Sequence, residues 1–546
     1  MACSKLFSGN LPEITQYIIQ YLRNDIKSLH SCVLVNRHLC RITTPILWED
    51  PFSTLQEGSS NFLDSYMSFF NEDDKTKLKE FGITIGSTLP LFHYPRFIKT
   101  VNIFRLELHL INWVNVFESN TKSICSTNQI NLNFSSSYAE SRSLRIKRDP
   151  SAPNDLIHFN FITLIKLFVK HASLNNLNLG NNDSYLFETC EEILKNPCFI
   201  TNLKNFTFES CSFDDRPRFP RNFLTSLPSI LPSLETLEIS VHMKNLIPSQ
   251  KRLGSLSLRS IPVDHDLLYD LKHYRSLTCI QFIRCKFDEI SSFDGFKHLT
   301  QLRSLHFIGC LGLTKPVFQS LLDFSTPLKI KTLKVVGQIL GVDLLLQKIG
   351  HYLEYLELGI YGIRISNTRK LAFYSIMNHC SQIRYLHLNE IDCFNVHQFR
   401  DIIIRFNRQL KHLSLRNENH CMQDKGFKLK LCSTILEGLD QILPDSLEYL
   451  ELNLMIDPYS FKTFLDGFEP VKLRKFLVKN TNKRDINDTF DVLKNFVMEK
   501  KVNQMAYQVA DFFSFSNVQH TNLERSINEI RPFIKIGRYN ELVEKV

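Results

Sequence analysis

Tyrosine, histidine, arginine and glutamate recur at matched offsets in the C-terminal half of this chain. Tyr355 and Glu357, then Tyr385, His387 and Asn389, then His412, Ser414 and Arg416, then Tyr449, Glu451 and Asn453 each sit two residues apart in short segments whose alternate places are leucine. Tyrosine and histidine supply flat rings with a polar end, arginine a planar fork for carboxylates, and glutamate its complement. Held on a rigid scaffold, that is the composition of protein-binding hot spots. Acid–base chemistry would need a nucleophile or an acid partner beside His387 or His412, and the sequence marks none. The motifs G-x-x-x-x-G-K-[ST], G-x-G-x-x-G, H-E-x-x-H and G-x-S-x-G are absent from the sequence. The residues point to recognition by a non-catalytic protein. A second reading of the same residues stays open: an ordinary polar strand surface on which cross-strand aromatic pairs stabilise a sheet.

The leucines around them carry the architecture. An L-x-x-L-x-L spacing recurs at least twelve times, with first positions Leu174, Leu203, Leu234, Leu253, Leu277, Leu302, Ile330, Leu353, Ile383, Leu410, Leu447 and Leu473. Eleven steps over 299 residues give a mean of about 27 per repeat, inside the range of leucine-rich repeats. The predicted fold class is α/β: each repeat is a strand plus a returning helix or turn, and the stack forms a solenoid, a horseshoe. Leucines face inward and the third, fifth and seventh positions outward. Strands ~5 Å apart would align Tyr355, Tyr385, His412 and Tyr449 in one column. The candidate substrate-binding residues are therefore Tyr355, Glu357, Tyr385, His387, His412, Arg416, Tyr449 and Glu451; earlier repeats offer the blander Ser255, Ser257, Cys279 and Ser304. Val396, Phe399, Ile402, Ile403 and Phe406 share a helical face between two strand signatures.

Composition narrows the class. The 546 residues are 43% hydrophobic, enough for a large core. No apolar run approaches the 18 residues of a membrane span, so no membrane partner is expected. Net charge is +9, but 65 basic and 56 acidic residues are interspersed without a basic arm, so no nucleic-acid partner is expected either. The segment MACSKLFSGNLPEI lacks the apolar core of a signal peptide. The 14 cysteines include no CxxC pair, and Cys211, Cys285 and Cys310 each fall eight residues after the first leucine of a repeat, a slot for a small buried residue. This predicts reduced structural thiols in a cytoplasmic or nuclear protein, with no metal and no cofactor. The sequons at Asn133, Asn182, Asn205 and Asn487 then read as chance matches.

Residues 11–48 predict three short helices. Pro12 suits a first helical turn, and Ile14, Ile18, Ile19 and Leu22 recur at helical spacing. Asn24 or Asp25 can cap a second helix with Leu29, Cys32 and Val33 inward. A third runs from about Asn36 to Thr43, and Pro45 should end or bend it.

This segment resembles an F-box. The family's leading Leu-Pro, central Asp-Leu step, Val-Cys-Arg stretch and closing Leu-Trp correspond to Leu11-Pro12-Glu13-Ile14, Asp25-Ile26, Val35-Asn36-Arg37 and Leu47-Trp48, with Ile18, Leu22, Leu29 and Cys32 at apolar positions. Leu39 stands where tryptophan is frequent, and Asn36 where cysteine is frequent. The resemblance covers about forty residues, and an F-box followed by leucine-rich repeats is a familiar pairing. It implies binding to a Skp-type adaptor and, through it, to a cullin–RING ubiquitin ligase. The implied adaptor-binding residues are Leu11, Pro12, Ile14, Ile18, Leu22, Leu29, Val35 and Trp48. The alternative for the apolar stripe on the first helix is packing against the chain's own next segment.

The predicted organisation is a three-helix F-box over 8–50, a helical linker over 51–96, a solenoid over 97–479 with an irregular loop at about 119–156, and a C-terminal helical cap over 480–546. Within the linker, Phe62 to Phe70 form an apolar helical stretch that would brace the first repeat. The loop carries a short strand at Ile130–Phe134 and basic residues Arg142, Arg145, Lys147 and Arg148. The cap has helices at Asp488–Val497 and, broken at Pro532, Leu523–Val546. Such a chain would serve as a monomeric receptor that holds an unidentified protein substrate for ubiquitin transfer. Its alternative is a repeat scaffold with no link to ubiquitin.

Overall fold

The computed structural model describes residues 12–53, 62–86, 89–122, 154–180, 185–209, 221–231, 233–240, 246–250, 252–287, 290–362, 366–389, 391, 395–417, 425–469, 471–482, 486–500, 504–509 and 535–536. Leu11, Cys211, the segment 130–134, the basic cluster from Arg142 to Arg148 and most of 523–546 lie outside these residues. The chain divides into two compact units, Met1–Leu253 and Gly254–Val546.

The first unit begins with helices Pro12–Gln20, Ile26–Val33 and Arg37–Leu47. Asp25 caps the second by accepting from the Ser28 N–H at 3.0 Å. Asn36 caps the third by accepting from the Leu39 N–H at 2.8 Å. Each cap satisfies an amide that the helix itself leaves without a partner. Ile19, Leu29 and Leu39 form a small core, with Leu22, Cys32, Ile42, Ile46 and Leu47 packed on it. The third helix runs past Pro45 to Leu47, beyond the expected end at Thr43. The Trp48 N–H donates to the Thr44 carbonyl at 3.0 Å and closes that last turn, so the proline removes one bond near an end where few remain.

An aromatic cluster ties these helices to the rest of the unit. Trp48 stacks on Tyr94, with ring centroids 4.0 Å apart, and meets Tyr66 edge-on at 5.3 Å. Tyr66 in turn meets Phe168 at 5.3 Å. The helix carrying Phe62 and Tyr66 is shorter than the apolar run suggests, Phe62–Met67. The polar stretch after it is a helix of its own, Glu72–Glu80, capped by Asn71. Two long helices follow, Ile103–Lys122 and Asn154–His171, so the expected loop at 119–156 begins and ends inside helices; 123–153 lies outside the described residues.

Strands β1 (Thr100–Asn102), β2 (Asn176–Asn178), β3 (Asn205–Phe208) and β4 (Thr236–Ile239) lie in parallel sequence order. Amides run along them: Asn205 donates to Asn176 at 2.5 Å, and Asn176 to Thr100 at 2.8 Å.

The second unit is a run of parallel strands with helices returning between them. The strands are β5 (Ser255–Arg259), β6 (Cys279–Ile283), β7 (Ser304–Ile308), β8 (Thr332–Gly337), β9 (Tyr355–Ile360) and β10 (Tyr385–Asn389). They continue as β11 (His412–Arg416), β12 (Tyr449–Leu454), β13 (Lys475–Asn480), β14 (Gln504–Val509) and β15 (Lys535–Ile536). The leucine slots line up strand to strand, for example Leu356, Leu386, Leu413 and Leu450, all 0% exposed. Each such side chain contributes roughly 1.5–3 kcal/mol when removed from water. Helix Val396–Phe406 buries Val396, Phe399, Ile402, Ile403 and Phe406, the face read from the sequence.

Cys285 and Cys310 are fully buried, and each thiol donates to a carbonyl of the preceding repeat, Leu258 and Phe282, at 3.2 Å. Burial pushes the Cys310 thiol up to about 12, so it stays protonated as a donor. Gly312 sits at φ +81°, where a Cβ would fall 2.4 Å from the Phe287 carbonyl oxygen, so that turn requires glycine. These are the parallel strands, returning helices and thiol ladder of a leucine-rich repeat fold. Strand pairing continues beyond 480, where a helical cap was expected. Helix Ile486–Lys500 leads into β14, whose Met505 and Tyr507 pair in register with Phe476 and Val478. With no leucine in those slots, the spelled pattern stops while the backbone pattern goes on.

Candidate functional site

The candidate residues fall in two groups, one in each unit. On the first unit, the N-terminal helix divides lengthwise. Thr15 and Ile19 turn inward and are 1% and 3% exposed. Ile14, Tyr17, Ile18 and Tyr21 stand outward at 48%, 60%, 41% and 74%. The offsets of three and four residues place all four on one side. Tyr17 and Tyr21 join through their hydroxyls at 2.6 Å, with rings edge to face at 5.2 Å. Leu34 and Val35, in the turn after the second helix, are also exposed. Six large apolar side chains on one short helical unit are an unusual amount of apolar surface left in water.

The eight residues implied by the resemblance thus separate. Ile14, Ile18 and Val35 are at the surface. Leu22 is half-buried against the three-helix core, and Leu29, 1% exposed, is within it, which gives it a structural place instead of an outward one. Trp48 is engaged by Tyr94 and Tyr66 inside its own unit. Pro12 opens the first helix, and Leu11 lies outside the described residues. Tyr17, Tyr21 and Leu34 were not singled out from the sequence. Tyr17 and Tyr21 were findable, since they continue the Ile14–Ile18 spacing at i+3.

On the second unit, strand register brings the predicted column together. Tyr355 pairs with Tyr385, Tyr385 with His412, and His412 with Tyr449. The rings follow one another at 6.2, 4.5 and 5.2 Å, the last pair stacked with planes nearly parallel at 10°. The next column aligns Glu357, His387, Ser414 and Glu451. These side chains are more buried than an open strand face provides: Tyr355 is 4%, His387 6%, Tyr449 2% and Glu451 0% exposed.

A polar network explains how a carboxylate tolerates that burial. Glu451 accepts from Ser414 Oγ at 2.9 Å and Tyr449 Oη at 3.2 Å, and from Arg416 Nε and Nη2 at 2.8 and 3.1 Å. Charge-assisted bonds in this number replace the lost water. Tyr355 Oη donates to Glu357 at 3.3 Å, while Lys334 lies 3.8 Å from the same carboxylate. Burial lowers His387 to about 4, against the pull of Glu357 and Glu451 and with the push of Arg416 and Lys334. Burial and nearby Lys334 likewise lower His306 to about 4. Both imidazoles are neutral at pH 7. The predicted outward-facing columns are thus largely closed by their own packing, and of the eight candidate residues only Glu357, Tyr385 and Arg416 stay partly exposed. Among the described residues no group of three metal-ligating side chains converges, and no helix is long and apolar enough to cross a membrane.

No family model matches this sequence, and no curated protein matches it. Among solved structures the chain is similar to the crystal structure of an internalin from Listeria monocytogenes, at 14% identity over 64% of this chain and 82% of the other, with a TM-score of 0.25.

Proposed function

We propose that this leucine-rich repeat protein is the substrate-recognition subunit of a Skp–cullin–F-box type ubiquitin ligase. In this reading the N-terminal helices bind a Skp-type adaptor, and the repeats hold a protein substrate. The protein has no active site of its own; it raises the effective concentration of a target beside a ligase-bound conjugating enzyme. The observation that carries the reading is the exposed row of Ile14, Tyr17, Ile18 and Tyr21 on a helix whose opposite side is already committed to a core. An apolar helix face of this size is suited to helix-in-groove docking. The partly exposed Glu357, Tyr385 and Arg416 on β9–β11 support protein recognition by the repeats, and the cytoplasm or nucleus is where such a complex would act.

The test is binding of the full chain to a Skp-type adaptor, beside the Ile14→Asp/Ile18→Asp variant. Both side chains are in water already, so the variant should fold. Binding lost in the variant supports the reading. No binding by the folded wild-type chain leaves the alternative, a repeat scaffold unconnected to ubiquitin transfer.

A further inference from the structure

Positive charge recurs along one edge of the second unit. Each strand from β6 to β13 is entered through a turn containing the first hydrophobic residue of its repeat. The residues just after that position are Thr278, Arg303, Lys331, Glu354, Arg384, Lys411, Glu448 and Arg474. Their backbones form a continuous ladder: each N–H from Arg303 to Arg474 donates to the carbonyl of its predecessor at 2.8–2.9 Å. Counting also the two residues before each hydrophobic position, these eight turns hold nine cations and three carboxylates.

Three of the cations are paired. Lys331 meets Glu354 at 2.6 Å, and Glu448 meets Lys411 at 3.0 Å and Arg474 at 3.6 Å. The other six, Arg275, Arg303, Lys329, Arg384, Arg408 and Lys472, make no ion pair among the described residues. All but the half-buried Arg303 are exposed. Charge that is interspersed in the sequence thus becomes predominantly positive on this edge, nine cations against three carboxylates, because every repeat delivers its turn to the same side.

We propose that this edge docks an acidic segment of a partner protein, rich in aspartate or glutamate. Seven strand spacings of ~4.8 Å make the edge about 34 Å long, the reach of roughly ten extended residues. A polypeptide fits better than a nucleic acid. Glu354, Asp445 and Glu448 interrupt the cations, and a uniform phosphate backbone would meet them with repulsion, whereas a polypeptide can place neutral or basic residues there. The proposal rests on the repeats being the substrate-holding part, and it names the chemistry of what they hold.

The full-length chain would be titrated into a fluorescein-labelled decapeptide of alternating aspartate and glycine, read by anisotropy at low and physiological salt. The rim variant is Arg384→Glu/Arg408→Glu/Lys472→Glu. The control, with the same change in net charge, is Lys370→Glu/Lys425→Glu/Lys462→Glu on exposed helix positions. Expected are salt-sensitive binding, a loss of about tenfold or more in the rim variant, and a change under about twofold in the control. Equal loss in both variants, no binding by wild type, or tighter binding of a single-stranded oligonucleotide of equal charge would overturn the proposal. No adaptor is present, so failure here and failure of adaptor binding are separate results.

Discussion

Arg416 holds Glu451 with two parallel bonds, Nε to one carboxylate oxygen at 2.8 Å and Nη2 to the other at 3.1 Å. The glutamate side chain is fully buried, and the arginine is 28% exposed. Removing the arginine strands a charge away from water. Arg416→Met should therefore cost about 2–4 kcal/mol, the cost of orphaning a buried charge discounted for the exposed partner. Arg416→Lys should recover only part, since an ammonium cannot make both bonds. Urea midpoints check this; a loss below about 0.5 kcal/mol would mean the pair is solvated.

His306 and His387 make stability depend on pH in a stated direction. Burial lowers both from 6.5 to about 4. Between those values the unfolded chain takes up protons that the folded chain refuses. Their neutral forms are therefore fully compatible with the fold above pH 6.5, and stability falls as the pH drops toward 4. The difference in melting temperature between wild type and His306→Gln/His387→Gln should shrink or reverse over that interval. A difference that stays constant from pH 7 to about 4 would contradict the buried neutral state.

The three-helix core makes a contrast between residues of similar type. Leu29 is in the core and Ile14 is in water. Leu29→Ala should cost about 2–5 kcal/mol, and Ile14→Ala less than about 0.5 kcal/mol. Thermal melts of the two variants separate core from surface; equal losses would mean that Ile14 is also packed.

Thiol reactivity should follow burial. Cys198 is exposed, whereas Cys190, Cys285, Cys310, Cys380 and Cys432 are buried. Burial pushes Cys310 and Cys380 up to about 12 and Cys432 to about 11. Alkylation mapped by mass spectrometry should label Cys198 before those five, which should stay unlabelled until the chain unfolds. Early labelling of Cys285 or Cys310 would contradict the carbonyl-bonded ladder.

Much of this was legible because repeats report on themselves. Leucine spacing marks the strand starts from Leu174 to Leu473, and strict alternation is enough to place Tyr355, Tyr385, His412 and Tyr449 in one column, as the strand register has them. The pattern failed where the chemistry of the slot changed. β14 places Met505 and Tyr507 in register with the apolar positions of β13, and no leucine marks it. The burial of Glu451 was invisible as well, since alternation tells which side a residue faces and not what lies against it. In the N-terminal helices the spacing of Ile14, Ile18, Ile19 and Leu22 was clear. Which of them faces inward was settled only by the packing of Leu29 and Leu39 around Ile19. The edge cations were hidden for a different reason: they are dispersed along the sequence, and only stacking gathers them.

In the proposed function, the apolar row on the first helix binds a Skp-type adaptor. The most direct measurement is calorimetric titration of purified adaptor into the full-length chain and into Ile14→Asp/Ile18→Asp, with circular dichroism of both. The expected result is one-to-one binding by wild type, weakened at least about a hundredfold in an equally folded variant, as removal of two central apolar contacts should do. Absence of binding by folded wild type, or equal binding by the variant, would contradict it.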